Sequence, residues 1–260
     1  MISVAYRFLL ASLISWIFCF FSGRLMAFSF IDHFFMFLQG VFLFALNYWL
    51  FYISELTLTS GLAAVIFCTI VVMNMLNGII FLKNRIEHRV IYGAFLGCVG
   101  IVFVFWKEFN EFDIDSENIK AVFFAILATY LASLGNIASA RNQRAEIPVL
   151  QSNTFGMTYG ALFMFLVCIA SGKEFSFDFT LPYIGSLLFL SVFASIIAFW
   201  TYLTLLGRVG VERAAYATLL FPIVALLIST FAEGYKWSVF AVMGLLLILV
   251  GNLIILKGKI

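Results

Sequence analysis

An ionisable side chain inside an apolar run is costly without a purpose, so these residues are the first place to look for chemistry. They are few. Arg7 is the one basic residue within a long apolar run, about one turn from its start, where a long side chain can snorkel to an interface. It reads first as an anchor, with contact to an anion as the alternative. Every acidic residue lies between runs or within a turn of an end: Asp32, Glu55, Glu87, Glu146, Glu174, Asp178, Glu212, Glu233 and the cluster Glu108, Glu111, Asp113, Asp115 and Glu117. No carboxylate is therefore placed to relay a proton at the midplane. His33 and His88 have no partner at metal spacing, and Cys19, Cys68, Cys98 and Cys168 stand singly, as small buried residues do. Lacking a Ser/His/Asp arrangement, a phosphate loop or a carboxylate pair, the chain is expected to be no enzyme and to hold no cofactor or metal.

Uncharged polar and aromatic residues are the better candidates. Asn74 and Asn77 share a helix face at i, i+3, as do Ser133 and Asn136. Asn47 stands beside Tyr48 and Trp49, and Trp200 and Tyr202 form a similar aromatic pair further on. Asn153, Thr154, Thr158 and Tyr159 make a polar stripe after Pro148. Amides that hydrogen-bond between helices, and rings in an interfacial belt, are the ordinary explanation. The alternative is a solute cavity lined by Asn47, Trp49, Asn74, Asn77, Asn136, Asn153, Tyr159, Trp200 and Tyr202, whose amide and aromatic groups suit a neutral or zwitterionic solute.

The elements that position them follow from composition. The sequence is 64% hydrophobic and only 11% charged, with a mean hydropathy of +1.12. A soluble domain holds about 45–50% apolar and 25% charged residues, so a soluble fold is excluded. A net charge of +2 without a basic run excludes nucleic acid as a partner. At ~20 residues per span, the apolar runs predict an all-α integral membrane fold of nine transmembrane helices: 3 to 21, 33 to 53, 60 to 82, 90 to 106, 120 to 139, 150 to 170, 182 to 205, 211 to 232 and 237 to 256.

Loop charge sets the expected orientation. One set of alternate loops carries Arg24, Lys83, Arg85, Arg89, Arg141, Arg144, Arg208, Arg213, Lys257 and Lys259, the other only Lys107, Lys120, Lys173 and Lys236. Because cytoplasmic loops gather Lys and Arg, the N-terminus is expected outside and the C-terminus in the cytoplasm.

Shifting the sequence by 151 residues lays the first 109 residues on the last 109 without a gap. Trp49 then falls on Trp200, Tyr48 on Phe199, Phe51 on Tyr202, Ala63-Ala64 on Ala214-Ala215, Gly93 on Gly244 and Gly100 on Gly251. Five helices separate matched positions, so the copies cross the membrane in opposite directions, an inverted repeat of the kind that builds many secondary transporters. Asn47, Asn74 and Asn77 break the repeat, facing Ala198, Ala225 and Ile228. The helix at 120 to 139 has no partner in the first copy. The division is 1–109, four helices, and 110–260, five, where symmetry expects five plus five.

Gly61-Leu62-Ala63-Ala64 with Gly93 to Gly100, and Ala214 to Pro222 with Ala232-Glu233-Gly234 and Gly244 to Gly251, resemble the two halves of the EamA branch of the drug/metabolite transporter superfamily. Val71 replaces that family's first-copy proline, and Lys83 stands near its usual Gly-Glu. The segment Met1 to Phe8 resembles the family's second helix. The resemblance implies ten helices with both ends cytoplasmic; without the first, the N-terminus is outside, as the charge distribution also indicates. It further implies secondary transport, by alternating access, of a small metabolite such as an amino acid or its derivative, with efflux across the inner membrane as the expected direction. The other reading is a truncated, non-transporting membrane protein that needs a partner chain. The expected partners are the lipid bilayer and a small solute, with a homodimer left open.

Overall fold

A backbone crossing lipid must satisfy its own hydrogen bonds, and long apolar runs do so as helices. The computed structural model describes residues 2–85, 87–112, 115–172, 175–221, 223–224, 230–231 and 237–256, and among these the regular structure is all helical. The side chains of Glu108 and Leu256 are outside that description. So are Met1, Asp113, Lys173, Glu174, Pro222, Ala225, Ile228, the Ala232-Glu233-Gly234 segment, Lys236, Lys257 and Lys259.

The helices are α1 (Ile2–Phe21), α2 (Phe30–Ser54), α3 (Ser60–Leu82), α4 (His88–Val104), α5 (Ser116–Arg144), α6 (Val149–Ala170), α7 (Leu181–Val209), α8 (Val211–Leu219) and α9 (Val239–Leu256). A short helical segment, Trp106–Asn110, follows α4. Among the described residues six helices are long and apolar enough to cross a membrane, and α4 and α9 are shorter apolar helices. Their ends are written in the sequence. The Ser29 hydroxyl accepts the Asp32 amide at 3.2 Å to open α2, and Thr59 accepts that of Leu62 at 3.3 Å to open α3. Pro182 stands in the first turn of α7, where its missing N–H is harmless.

Two compact units divide the chain, and each draws on both halves. The first comprises Met1–Tyr52 and Leu131–Arg208, the second Ile53–Tyr130 and Val209–Ile260. In the second unit α4 packs along α9. A Cβ built on Gly93 would stand 2.9 Å from the Gly251 carbonyl oxygen, and one on Gly251 would stand 2.9 Å from that of Gly93. Gly100 and Gly244 meet in the same reciprocal way. The 151-residue shift converts the pair Gly93·Gly251 into Gly244·Gly100. A contact pattern that maps onto itself when the copies are exchanged is what a two-fold axis between antiparallel helices produces, the relation an inverted repeat requires of this helix pair.

In the first unit α1 packs on α6, α6 on the middle of α2, and α1 on the middle of α7. Those middles are π-helical: Gly40–Leu46 in α2 and Leu190–Ile197 in α7. The two π segments start 150 and end 151 residues apart. The shift differs for α1, however. Ser22-Gly23 ends α1 and Ser171-Gly172 ends α6, both glycines at φ 62, which makes the register there 149. Gly40 then approaches the backbone of Gly156 as its counterpart Ser191 approaches that of Arg7.

Candidate functional site

In the first unit, five polar side chains from three helices gather where an apolar core would be expected. Gln39 on α2 donates through Nε2 to Asn153 Oδ1 on α6 at 2.8 Å and accepts at Oε1 from Asn142 on α5 at 3.0 Å and from Ser152 at 2.7 Å. Asn142 also donates to Ser152 Oγ at 3.2 Å. Gln39 and Asn142 are fully buried, and Gln151, Ser152, Asn153 and Thr154 at the start of α6 are all within 5% of complete burial. Two atoms here have no partner among the described residues: Asn153 Nδ2, a donor, and Gln151 Oε1, an acceptor. A buried polar atom left unpaired costs ~1–3 kcal/mol, which an incoming polar ligand would recover. Thr154 and Thr158 spend their hydroxyl protons on the carbonyls of Leu150 and Thr154, both at 2.8 Å, and are satisfied within the helix.

The remaining first-unit candidates make contacts of their own. Asn136 donates to the Tyr202 phenol oxygen at 3.2 Å. The Tyr159 hydroxyl lies 2.8 Å from His33 Nδ1, beside the Phe155 ring. Asn47 Oδ1 accepts the Tyr48 amide at 2.7 Å as the first π segment ends. Trp49 packs at the edge of Ala5, Ala45 and Met164, whereas its repeat partner Trp200 is 49% exposed.

Arg7 does something other than snorkel. Its guanidinium Nε donates to Ser195 Oγ at 2.8 Å, and the group lies over the Tyr48 ring at 5.0 Å. Ser191 Oγ donates to the Arg7 carbonyl at 3.0 Å. Ser195 is halfway along α7, so the charge is drawn toward the helix middle rather than the end. On insertion scales a charge costs about 2.5–3.5 kcal/mol at a helix centre and less toward an end. None of the ion pairs among the described residues includes Arg7.

The second unit holds Asn74 and Asn77. Asn74 is fully buried and donates to the Val211 carbonyl at 3.4 Å, at the start of α8, and Asn77 is 3% exposed. Asn84 donates to the carboxylate of Glu212, which stands at a helix end as the sequence predicts but is only 9% exposed. Tyr216 donates to the Val90 carbonyl at 2.9 Å.

Sequence reasoning singled out Asn153 but missed Gln39, Asn142, Gln151 and Ser152. The available signal was the unbroken polar run Gln151 to Thr154 inside an apolar helix: four successive residues face every side, so all can be buried only if polar partners stand around them. Among the described residues no three or more His, Cys, Asp or Glu gather as a metal site.

The sequence model of the EamA-like transporter family matches residues 1–106 and 119–257. The chain belongs to that family. Its EamA-like relatives include an uncharacterized transporter of Clostridium kluyveri, 24% identical over 194 residues, or 74% of this chain and 62% of the relative. Protein PagO of Salmonella typhimurium is 21% identical over 86% of this chain and 73% of its own length. An uncharacterized transporter of Archaeoglobus fulgidus is 25% identical over 80% and 71%. The chain thus spans less than two thirds of the Clostridium relative. One solved crystal structure shares the fold, with a TM-score of 0.81 over 97% of this chain and 85% of that one, at 16% identity. Family membership and apolar helices together make this EamA-like chain a multi-pass membrane protein.

Proposed function

We propose that the protein is a secondary transporter that exports a small neutral or zwitterionic metabolite, amino-acid-like in size and polarity, across the inner membrane by alternating access. The observation that carries the solute class is the buried amide cluster around Gln39 and Asn153, with an unpaired donor and an unpaired acceptor. Such a surface solvates dipoles and offers no carboxylate to a cation. The paired π segments support the mechanism: widened turns leave backbone groups loosely committed, and such bulges concentrate where helices work. The charge distribution supports a cytoplasmic C-terminus and an outside N-terminus. Transport rather than catalysis also agrees with the names of the relatives. Asn47, Trp49, Asn136, Tyr159, Trp200 and Tyr202 of the first unit, and Asn74 and Asn77 of the second, stay as proposed solute contacts. The test is accumulation of pooled radiolabelled amino acids and related metabolites in proteoliposomes holding this chain, against protein-free liposomes. Entry of a zwitterionic member supports the reading, whereas entry of none, or only of multiply charged solutes, contradicts it.

A further inference from the structure

We propose that Arg7, with Ser195 and the Tyr48 ring, forms a recognition site for the carboxylate of the transported solute. This rests on the transporter reading above and adds the anionic half of the ligand to it.

Three observations converge. The first is an uncompensated cation. Arg7 is partly buried in a membrane helix, its Nε is committed to a neutral hydroxyl at 2.8 Å, and no described carboxylate pairs with it. A guanidinium presents five N–H donors in a planar fork that matches a carboxylate's two oxygens.

The second is asymmetry. At the 149 register set by the helix-ending glycines, the counterpart of Arg7 is Gly156, and at the 151 register it is Thr158; neither is charged. The two serines that hold Arg7 are also departures, since Ser191 and Ser195 replace Gly40 and Phe44 of the first copy. On the first-copy side, Gly40 and Gly156 simply let two backbones touch. The scaffold therefore needs no charge or hydroxyls here. All three polar substitutions fall on one side of the pseudo-two-fold, and both serines touch Arg7.

The third is the wall. The Phe44 and Phe199 centroids lie 4.9 Å apart, Phe8 lies 5.1 Å from Tyr48, and the Arg7 Cζ lies over both the Phe8 and the Tyr48 rings, at 5.2 and 5.0 Å. Stacking on a ring fixes an arginine's orientation and strips its water, which strengthens its bond to an anion. A lipid phosphate offers the same oxygen chemistry, so the test must separate the two sources.

The experiment is calorimetric binding to the full chain in nanodiscs, with two matched pairs of probes: phenylacetate against phenylacetamide, and L-leucine against L-leucinol. The expected result is that each carboxylate binds at least about tenfold more tightly than its partner, that Arg7→Gln abolishes the difference, and that Arg7→Lys and Ser195→Ala each keep part of it. Thermal unfolding of each variant confirms that it is folded, and the conservative lysine variant covers failure of the glutamine one. Equal binding within both pairs, discrimination that survives Arg7→Gln, or no binding by any probe overturns the proposal. So does an Arg7-dependent retention of phosphatidylglycerol by native mass spectrometry that added phenylacetate leaves unchanged, because the occupant is then lipid. Binding is read without transport: a chain that discriminates carboxylates yet moves no solute keeps this site and loses the transporter reading. A chain that transports with no Arg7 dependence does the reverse.

Discussion

Gln151 separates structural from functional polarity at the level of one side chain. Its Oε1 is buried and has no partner among the described residues, so Gln151→Leu removes an unpaired acceptor. Unfolding stability is expected to stay within about 0.5 kcal/mol or to rise, while transport of the solute falls at least about tenfold. Asn153 contrasts with it, because its Oδ1 holds Gln39. Asn153→Leu strands that donor and is expected to cost ~1–3 kcal/mol of unfolding free energy in detergent as well as transport. Equal transport by wild type and Gln151→Leu would remove Gln151 from the solute's route. These residues were only partly legible in the sequence. Gln39 looks like any polar residue one position before a glycine, and its partners come from more than 100 residues away, which no local pattern records. Arg7 was visible as a buried charge, but whether it turned outward or inward depended on Ser195, a helix on the far side of the chain.

At the level of helices, the glycine crossings carry the packing. Membrane helices associate through close backbone approach rather than a hydrophobic drive, so a methyl group at the crossing is felt directly. Gly244→Ala would press a Cβ on the Gly100 carbonyl and is expected to cost about 1–3 kcal/mol. Gly185→Ala meets open space in α7 and is expected to be neutral or to gain up to about 1 kcal/mol from helix propensity. Thermal unfolding of the two variants side by side checks the contrast. Helix existence was legible along the described runs, the later part of 211 to 232 lying largely outside them, since a run that must satisfy its backbone in lipid has one outcome. α5 proved longer than 120 to 139 because Glu117, Arg141 and Arg144 continue the helix beyond its apolar stretch. The π segments were not legible: Gly40–Leu46 is apolar throughout, and in Leu190–Ile197 only Ser191 and Ser195 are polar, too few to reveal an extra residue in a turn.

For the molecule as a whole, the inverted repeat makes a prediction about sidedness. Ser22 and Ser171 end the related helices α1 and α6 and are both exposed, yet opposite crossings put them on opposite faces. In a background with the four native cysteines replaced, Ser171→Cys is expected to react with a membrane-impermeant maleimide from outside intact cells and Ser22→Cys only in inverted vesicles. Reaction of both from the same side contradicts the inverted arrangement. The repeat itself was readable from Trp49 and Trp200 and from the paired glycines. The two-residue change of register at α1 was not, because apolar residues match one another at almost any offset, and only the turn glycines mark the true one.

Alternating access is tested most directly by counterflow. Proteoliposomes loaded with an unlabelled zwitterionic solute and diluted into a trace of the labelled form are expected to accumulate label transiently above its equilibrium level, because a single site that must reorient carries label in on each return. An overshoot that is present in the wild type and reduced at least about tenfold by Gln151→Leu is the predicted result. Label that only equilibrates, or an overshoot unchanged by that substitution, would contradict the account.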